Sequence, residues 1–298
     1  FIYNIPLWLI NLWISEFGRD KTEDLCAWFN EQPKLTARIN TILIDIPQCL
    51  TMLNEQGWAV TQDSNYEDII YINSHRGSLE KSEAFIKGYI TFMDKASMLV
   101  ARLVNPKPGE RILDCCAAPG GKSMYMATLM DNVGSLMSCD IHEHKIELMN
   151  SNAERLGASI VHTKVQDATK LPDSWNSYFD RVLVDAPCSG LGILQKKLDM
   201  RWRKQESILR ELPPLQLAIL ERAAMTVKEK GYLIYSTCTL NYKENEEVVE
   251  SFLQKHKEFS IIPVVEDFPL KSNSGMITTY PPTDDMDGFF MVKMQRIS

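Results

Sequence analysis

The chain has 298 residues, 45% of them hydrophobic, and a formal net charge of −7, which allows one large or two modest domains with a sizeable core. The acidic balance excludes a globally basic nucleic-acid footprint while leaving room for a local one, and no run approaches the roughly 18 apolar residues a membrane span needs. Seven cysteines, an odd number that includes the adjoining Cys115 and Cys116, exclude a disulfide framework and point to a reducing cytoplasm.

The apolar opening FIYNIPLWLINLWI contains Asn4, Pro6 and Asn11 and lacks the basic start and cleavage site of a signal peptide. It is expected to pack as a helical lead-in over residues 1–33, with Trp8, Leu9, Leu12 and Trp13 at helical spacing and Leu25, Trp28 and Phe29 continuing the pattern. The chain begins with Phe1 rather than Met, so an upstream segment is expected to be missing. From Leu35 the period changes. LTARINTILI reads as a strand, residues 47–56 as a helix closed by Gly57, WAVTQ and DIIYI as strands, SLEKSEAFIK as a helix and YITFM as a strand. Residues 34–93 thus form a small α+β unit.

Residues 94–298 follow a different rule. SMLVARLVN reads as a helix ending before Pro106-Lys107-Pro108-Gly109, after which the strand candidates RILDC, SLMSCD, SIVHTK, RVLVDA and YLIYST alternate with helix-sized stretches. The clearest of these helices span residues 141–156 and 215–229. Such alternation implies a mostly parallel, Rossmann-like sheet with helices on both faces. GFFMVKMQ, after Pro281-Pro282, is expected as a last, edge strand.

Chemistry concentrates at the strand ends. Val182, Leu183 and Val184 run into Asp185-Ala186-Pro187-Cys188-Ser189-Gly190, so a carboxylate and a thiol leave one strand on a turn that proline stiffens. GYLIYSTCT delivers a second thiol, Cys238, from another strand end. If the two strands are parallel neighbours, both sulfurs emerge at the carboxyl edge of the sheet, where open α/β folds bind ligands. Free cysteines elsewhere (Cys26, Cys49, Cys115, Cys139) read as inert buried hydrophobes. Asn241 and Glu244 match a capping box, whose helix amino end would favour a Cys238 thiolate. There is no CxxC or zinc-like Cys/His spacing, His142-Glu143-His144 is too short for HExxH, and no metal is expected.

The stretch ILDCCAAPGGKS passes from a strand into a helix through small residues, which let a ligand approach the backbone at a helix amino terminus. A phosphate-binding P-loop fails because Cys116 stands where its first glycine should be, and G-x-G-x-x-G is absent. A nucleoside cofactor of the S-adenosylmethionine kind remains. Asp140, 19 residues beyond Gly121, stands where an acid holds ribose hydroxyls, Asp167 where an adenine edge would lie, and Asp114 near the amino-acid end of the cofactor. A lone aspartate at a strand end is commonly a turn or helix cap, and Asp140 with Glu143 could form a capping box. Four aspartates at successive strand ends favour a ligand site.

Two thiols beside a carboxylate suit methylation of carbon 5 of a pyrimidine, a poor nucleophile until a thiolate adds to carbon 6. Asp185 is placed to stabilise charge developing on the ring, and a second thiol can assist release.

These residues resemble the RsmB/Sun (Fmu) family of RNA 5-methylcytosine methyltransferases from about Pro6 to the carboxyl end. The resemblance is carried by LDCCAAPGGK (113–122), CDIHEHK (139–145), NAERLG (152–157), DRVLVDAPCSGLG (180–192), DMRWR (199–203), YSTCTLNYKENEEVV (235–249) and DGFF (287–290). It implies S-adenosylmethionine as cofactor, held by Cys116, Ala117, Ala118, Pro119, Gly120, Gly121, Lys122, Asp140, Asp167 and Asp185. It also implies Cys238 as nucleophile, Cys188 as release aid and Asp185 as their electrostatic partner. Small-subunit ribosomal RNA, possibly unassembled, is the implied substrate of a monomeric cytoplasmic enzyme. Residues 34–93 become an RNA-binding subdomain, and a NusB-like helical domain is the implied upstream segment. Met93 stands where the family tends to have Gln, and Leu198 where Pro is usual. The alternatives are a methyltransferase of the same family acting on another RNA such as tRNA, a DNA cytosine-5 methyltransferase with a Pro-Cys nucleophile, and an RNA-binding ribosome-assembly factor without catalysis. Between Gln195 and Arg210, Lys196, Lys197, Arg201, Arg203, Lys204 and Arg210 surround Trp202; this reads either as a solvated helix face or as a stripe that holds a backbone and stacks a base.

Overall fold

A computed structural model describes residues 3–264, 268–270, 272 and 274–297. The lead-in is a helical hairpin, α1 (Leu7–Phe17) and α2 (Arg19–Trp28). Its apolar face buries Leu9, Trp13 and Leu25, with the Trp13 ring stacked on Phe29 at 5.5 Å. What it packs against matters for function. The same apolar cluster holds Leu191 and Leu194, just beyond Cys188, and Leu240, just beyond Cys238.

The next stretch forms β1 (Thr36–Ile39), α3 (Ile46–Glu55), β2 (Ala59–Gln62), β3 (Ile69–Ser74), α4 (Glu83–Ile86) and β4 (Ile90–Phe92). The strands make an antiparallel sheet in the order β2-β3-β1-β4. Two expectations shrink here. The first strand ends at Ile39 because Asn40 turns inward, donating from Nδ2 to Gly88 O at 2.9 Å and Leu156 O at 2.8 Å. The expected helix over SLEKSEAFIK breaks at Ser82, whose extended backbone separates a 3-10 turn (Leu79–Lys81) from α4 and whose hydroxyl accepts from Phe85 N.

The larger unit continues through α5 (Lys95–Val104), β5 (Arg111–Asp114), α6 (Gly121–Leu129), β6 (Ser135–Asp140), α7 (Glu143–Arg155), β7 (Val161–Val165), β8 (Phe179–Asp185), α8 (Met200–Arg203), α9 (Ile208–Thr226), β9 (Val227–Thr237) and α10 (Glu246–Lys255). It closes with β10 (Phe259–Ile261), β11 (Met276–Thr278), α11 (Pro281–Asp284) and β12 (Phe290–Arg296). The sheet order is β10-β12-β9-β8-β5-β6-β7, with β11 paired to β12. Strands β9, β8, β5, β6 and β7 run parallel, and β12 enters antiparallel to β9 and β10. Tyr125, Met126 and Leu99 cover one face, and Ile219, Leu220 and Phe252 the other. This is a Rossmann-like α/β sheet accompanied by a small α+β unit.

Two expectations are corrected. The tail strand is not an edge, because β10, only three residues long and without a periodic signature, lies outside it. The helix expected over residues 215–229 runs instead over Ile208–Thr226, carrying Pro213 and Pro214 inside. Its first turn is held by 3-10-type bonds from Ile208, Leu209 and Arg210 N–H groups. At its other end Val227 already pairs with Phe179.

The chain leaves β5 toward β6 and β7, then returns to β8 on the other side of β5. Crevices at such a reversal, outside the carboxyl strand ends, are where doubly wound sheets take ligands.

Candidate active site

Strand pairing brings the two thiols together. In the β8–β9 register Asp185 lies opposite Ser236, and Ser236 Oγ donates to Asp185 Oδ1 at 2.8 Å. Three residues past Asp185 and two past Ser236, Cys188 Sγ and Cys238 Sγ meet at 3.1 Å. Cys238 N–H also points at Cys188 Sγ, 3.3 Å away.

The turn carrying Cys188 is fixed by a carboxylate with a role the sequence misassigned. Glu244 does not complete a capping box. It is fully buried and accepts from Ser189 N at 2.8 Å, from Gln216 Nε2 at 2.9 Å and from Asn241 Nδ2 at 3.0 Å. Asn241 instead caps a single 3-10 turn (Tyr242–Glu244), and α10 starts only at Glu246. The loop is closed further on by glycine against glycine. Gly288 N donates to Gly192 O at 2.8 Å, and a Cβ on Gly192 would stand 1.8 Å from Gly288 O. Only the absence of side chains lets these backbones touch.

Burial and close neighbours shift the groups around the thiols. Cys188's thiol is pushed well above its ordinary pKa, first by its hydrogen bond to Cys238 and then by burial. Asp185 takes a second partner, Lys122 Nζ, 2.7 Å from Oδ2. Burial alone would lower the Lys122 pKa, but the neighbouring Asp185 outweighs it and the ammonium is held above its usual value. Burial makes the remaining core thiols inert, raising Cys139 to about 12 and Cys115 well above its ordinary value.

A cleft open to solvent runs along these strand ends. Cys116, Ala118, Asp140, Asp167, Asp185, Cys188 and Cys238 all line it. Ala117, Pro119, Gly120 and Gly121 do not; they shape the turn behind its wall, where Gly120 adopts a φ of +98° before α6. Lys122 also lies off the wall and serves Asp185. Asp114 is placed differently from expectation. It is completely buried beneath the loop and accepts from Ser123 Oγ at 2.7 Å, and among the described residues no donor reaches its Oδ1. Burial lifts its carboxyl to about 7 despite the Ser123 hydrogen bond.

The cleft's chemistry suits a nucleoside carrying a charged tail. Asp140 is not part of a capping box: its Oδ1 accepts from His142 N and faces His142 Nδ1, both at 3.0 Å, and among the described residues no donor reaches its other oxygen. Ile141 beside it is 59% exposed, an apolar surface a purine would cover. Asp167 caps the Ala168–Lys170 turn, and its two bonds from Thr169, through Oγ and N, hold its carboxyl below the usual carboxylate range. Sequence reasoning did not single out Ser236, Gln216, Gln166, Thr169 or Met200. Ser236 was recoverable only once β8 and β9 were known to pair, and the others carry no local signal.

Fold and cleft together define a Rossmann-like, S-adenosylmethionine-dependent methyltransferase. Residues 101–295 match the family described as 16S rRNA methyltransferase RsmB/F, and residues 5–77 match the RsmF/B-like ferredoxin-like domain, so the chain belongs to the RsmB/F methyltransferase family. The probable ribosomal RNA small subunit methyltransferase B of Bacillus subtilis is 37% identical over 297 residues, covering 98% of this chain and 66% of that protein. The Synechocystis protein of the same description is 36% identical over 305 residues, 99% of this chain and 67% of its own length. The chain therefore spans about two thirds of these relatives. A crystal structure described as NSun6 from Pyrococcus horikoshii with SFG superposes with a TM-score of 0.90 at 21% identity, all of both chains being covered.

Proposed function

We propose that this chain forms 5-methylcytosine in small-subunit ribosomal RNA through a covalent bond between Cys238 and carbon 6 of the target cytosine. The observation that carries the reading is the pair of sulfurs 3.1 Å apart in the cleft that also holds Asp140 and Asp167. The names of the relatives support the ribosomal substrate, and the resemblance of DAPCSG and STCT supports the cytosine chemistry.

Cys238 Sγ attacks carbon 6 of a base extruded into the cleft. Asp185 bridges the ring nitrogen to the Lys122 ammonium 2.7 Å behind it. A proton relayed from Lys122 through the carboxylate neutralises the charge moving onto the ring and returns along the same path when the bond to Cys238 breaks. S-adenosylmethionine, when bound, supplies the electrophilic methyl group to carbon 5. Asp140 would hold the ribose hydroxyls, Asp167 the adenine edge, and Cys116 with Ala118 the wall between them. The proton on carbon 5 then leaves to solvent, the bond to Cys238 breaks, and the Cys188 thiol, 3.1 Å away, donates a hydrogen bond that stabilises the departing thiolate. Residues 34–93 would contribute RNA contacts.

Bisulfite sequencing of small-subunit ribosomal RNA, incubated with the protein and S-adenosylmethionine, tests the reading. One newly protected cytosine is expected; protection of none, or methyl incorporation at another atom, would overturn it.

A further inference from the structure

The rim of the cleft carries a surface that the site chemistry does not use. Met200 lines the cleft beside Cys188. Hydrogen bonds from Met200 N to Lys197 O, Arg203 N to Asp199 O and Lys204 N to Met200 O coil this rim into a helical turn. Spacing of four residues places Leu198 and Trp202 on one face of the turn, and they are 58% and 54% exposed.

So exposed a turn is nevertheless anchored. Arg201 is buried, donating to Asn30 Oδ1 at 3.0 Å, to Leu194 O at 3.4 Å and to Phe29 O. It ties the turn to the end of α2 and to the loop following Cys188. Trp202 is therefore presented outward on a fixed backbone rather than on a loose loop. Around it lie Lys197, Arg203 and Lys204, and among the described residues only Arg203 pairs with an acid, Asp199, at 3.2 Å with both side chains mostly exposed. In a chain with a net charge of −7, this is concentrated positive charge beside an uncovered indole.

A fixed exposed indole flanked by unpaired cations is the pair of features that single-stranded nucleic acid requires, a stacking face and phosphate neutralisation. We propose that Trp202 stacks on an unpaired base flanking the target nucleotide, while Lys197 and Lys204 hold adjacent phosphates of single-stranded RNA. This inference deepens the proposed function and rests on it for the identity of the polymer. A base extruded into the cleft leaves its neighbours against the rim, where this turn stands.

The test is fluorescence anisotropy of a fluorescein-labelled, single-stranded oligoribonucleotide containing a central cytosine, titrated with the whole chain and no cofactor. Base stacking on an aromatic contributes roughly 1–3 kcal/mol, so Trp202→Ala should weaken binding about 5- to 150-fold, and Trp202→Phe should restore most of it. Lys197→Ala with Lys204→Ala should lower the salt slope of the affinity by roughly 1.4, two single-strand phosphates. Melting midpoints and S-adenosylmethionine affinity should stay at wild-type values, since Trp202 is exposed. Equal oligonucleotide affinity for Trp202→Ala and the wild type would overturn the inference, as expected if a protein segment covers the shelf; so would a loss that Phe does not restore. The readout needs no turnover, so it separates the two ideas. A Trp202-dependent affinity in a protein that never methylates cytosine would sink the proposed function and leave the platform standing.

Discussion

Replacing Glu244 with Gln tests whether one buried carboxylate holds the Cys188 turn. The Glu244 side chain sits in a cage of donors: Ser189 N and Gln216 Nε2 on Oε2, and Asn241 Nδ2 and Ser189 Oγ on Oε1. Gln keeps the shape but exchanges one oxygen for an NH2 group, setting N–H against N–H at one or more of these contacts. Hydrogen bonds to a charged acceptor contribute about 1.5–3 kcal/mol, and a buried donor left unpaired costs about 1–3 kcal/mol. Ser189 Oγ can turn to accept, since Thr239 Oγ1 lies 2.8 Å away as an alternative partner, which limits the loss. A net cost of about 2–4 kcal/mol follows, or about 4–8 °C in melting midpoint at roughly 2 °C per kcal/mol for a chain of this size. Differential scanning fluorimetry reads that shift. Single-turnover methyl transfer should slow at least about tenfold, because small misplacements of a reacting group are expensive, while cofactor affinity is retained. An unchanged midpoint together with an unchanged rate would refute the reasoning.

Three further outcomes are expected. Gly120→Ala places a Cβ 3.2 Å from Met149 Cγ at a φ of +98°; a loss of about 1–3 kcal/mol in urea unfolding and weaker S-adenosylmethionine binding by calorimetry should follow. Asp140→Asn removes the charge that would accept from the ribose hydroxyls, a loss of about 2 kcal/mol, or roughly thirtyfold in cofactor affinity, with oligonucleotide affinity untouched. Burial lifts the Asp114 carboxyl from its usual 3.8 to about 7, so between these values the native state holds a proton that the unfolded chain has released. Stability from this group therefore falls as pH rises through that window, and urea midpoints of Asp114→Asn should decline less than wild type between pH 5 and 7.5.

The sequence was most informative where one element acts alone. Periodicity located the lead-in helices, the parallel strands from RILDC to YLIYST and both thiols at strand ends, because buried runs bounded by turn residues carry a local signature. It was least informative where the decisive interaction is distant. Glu244 looks like a helix cap three residues after Asn241, yet its oxygens are used by Ser189 and Gln216. Nothing local distinguishes a carboxylate that closes its own turn from one that reaches another strand's loop. The helix expected from residue 215 begins about two turns earlier, with Pro213 and Pro214 inside α9. The three-residue strands β10 and β11 are too short to show any period, and so β12 was read as an edge.

In the cleft, the aspartates were legible as a series, but their present partners were not. Lys122 was grouped with the cofactor loop by resemblance, whereas its ammonium lies on Asp185. That contact couples the cofactor loop to the carboxylate beside the thiols, and it joins residues 63 positions apart.

The central claim is that Cys238 attacks the base and Cys188 releases it. Incubating Cys188→Ala with substrate RNA and S-adenosylmethionine, then denaturing, digesting and analysing by mass spectrometry, tests it most directly. The account predicts a methylated nucleotide covalently attached to the peptide containing Cys238, and no such species in Cys238→Ala. An adduct that persists in Cys238→Ala, or catalysis by that variant at the wild-type rate, would contradict it.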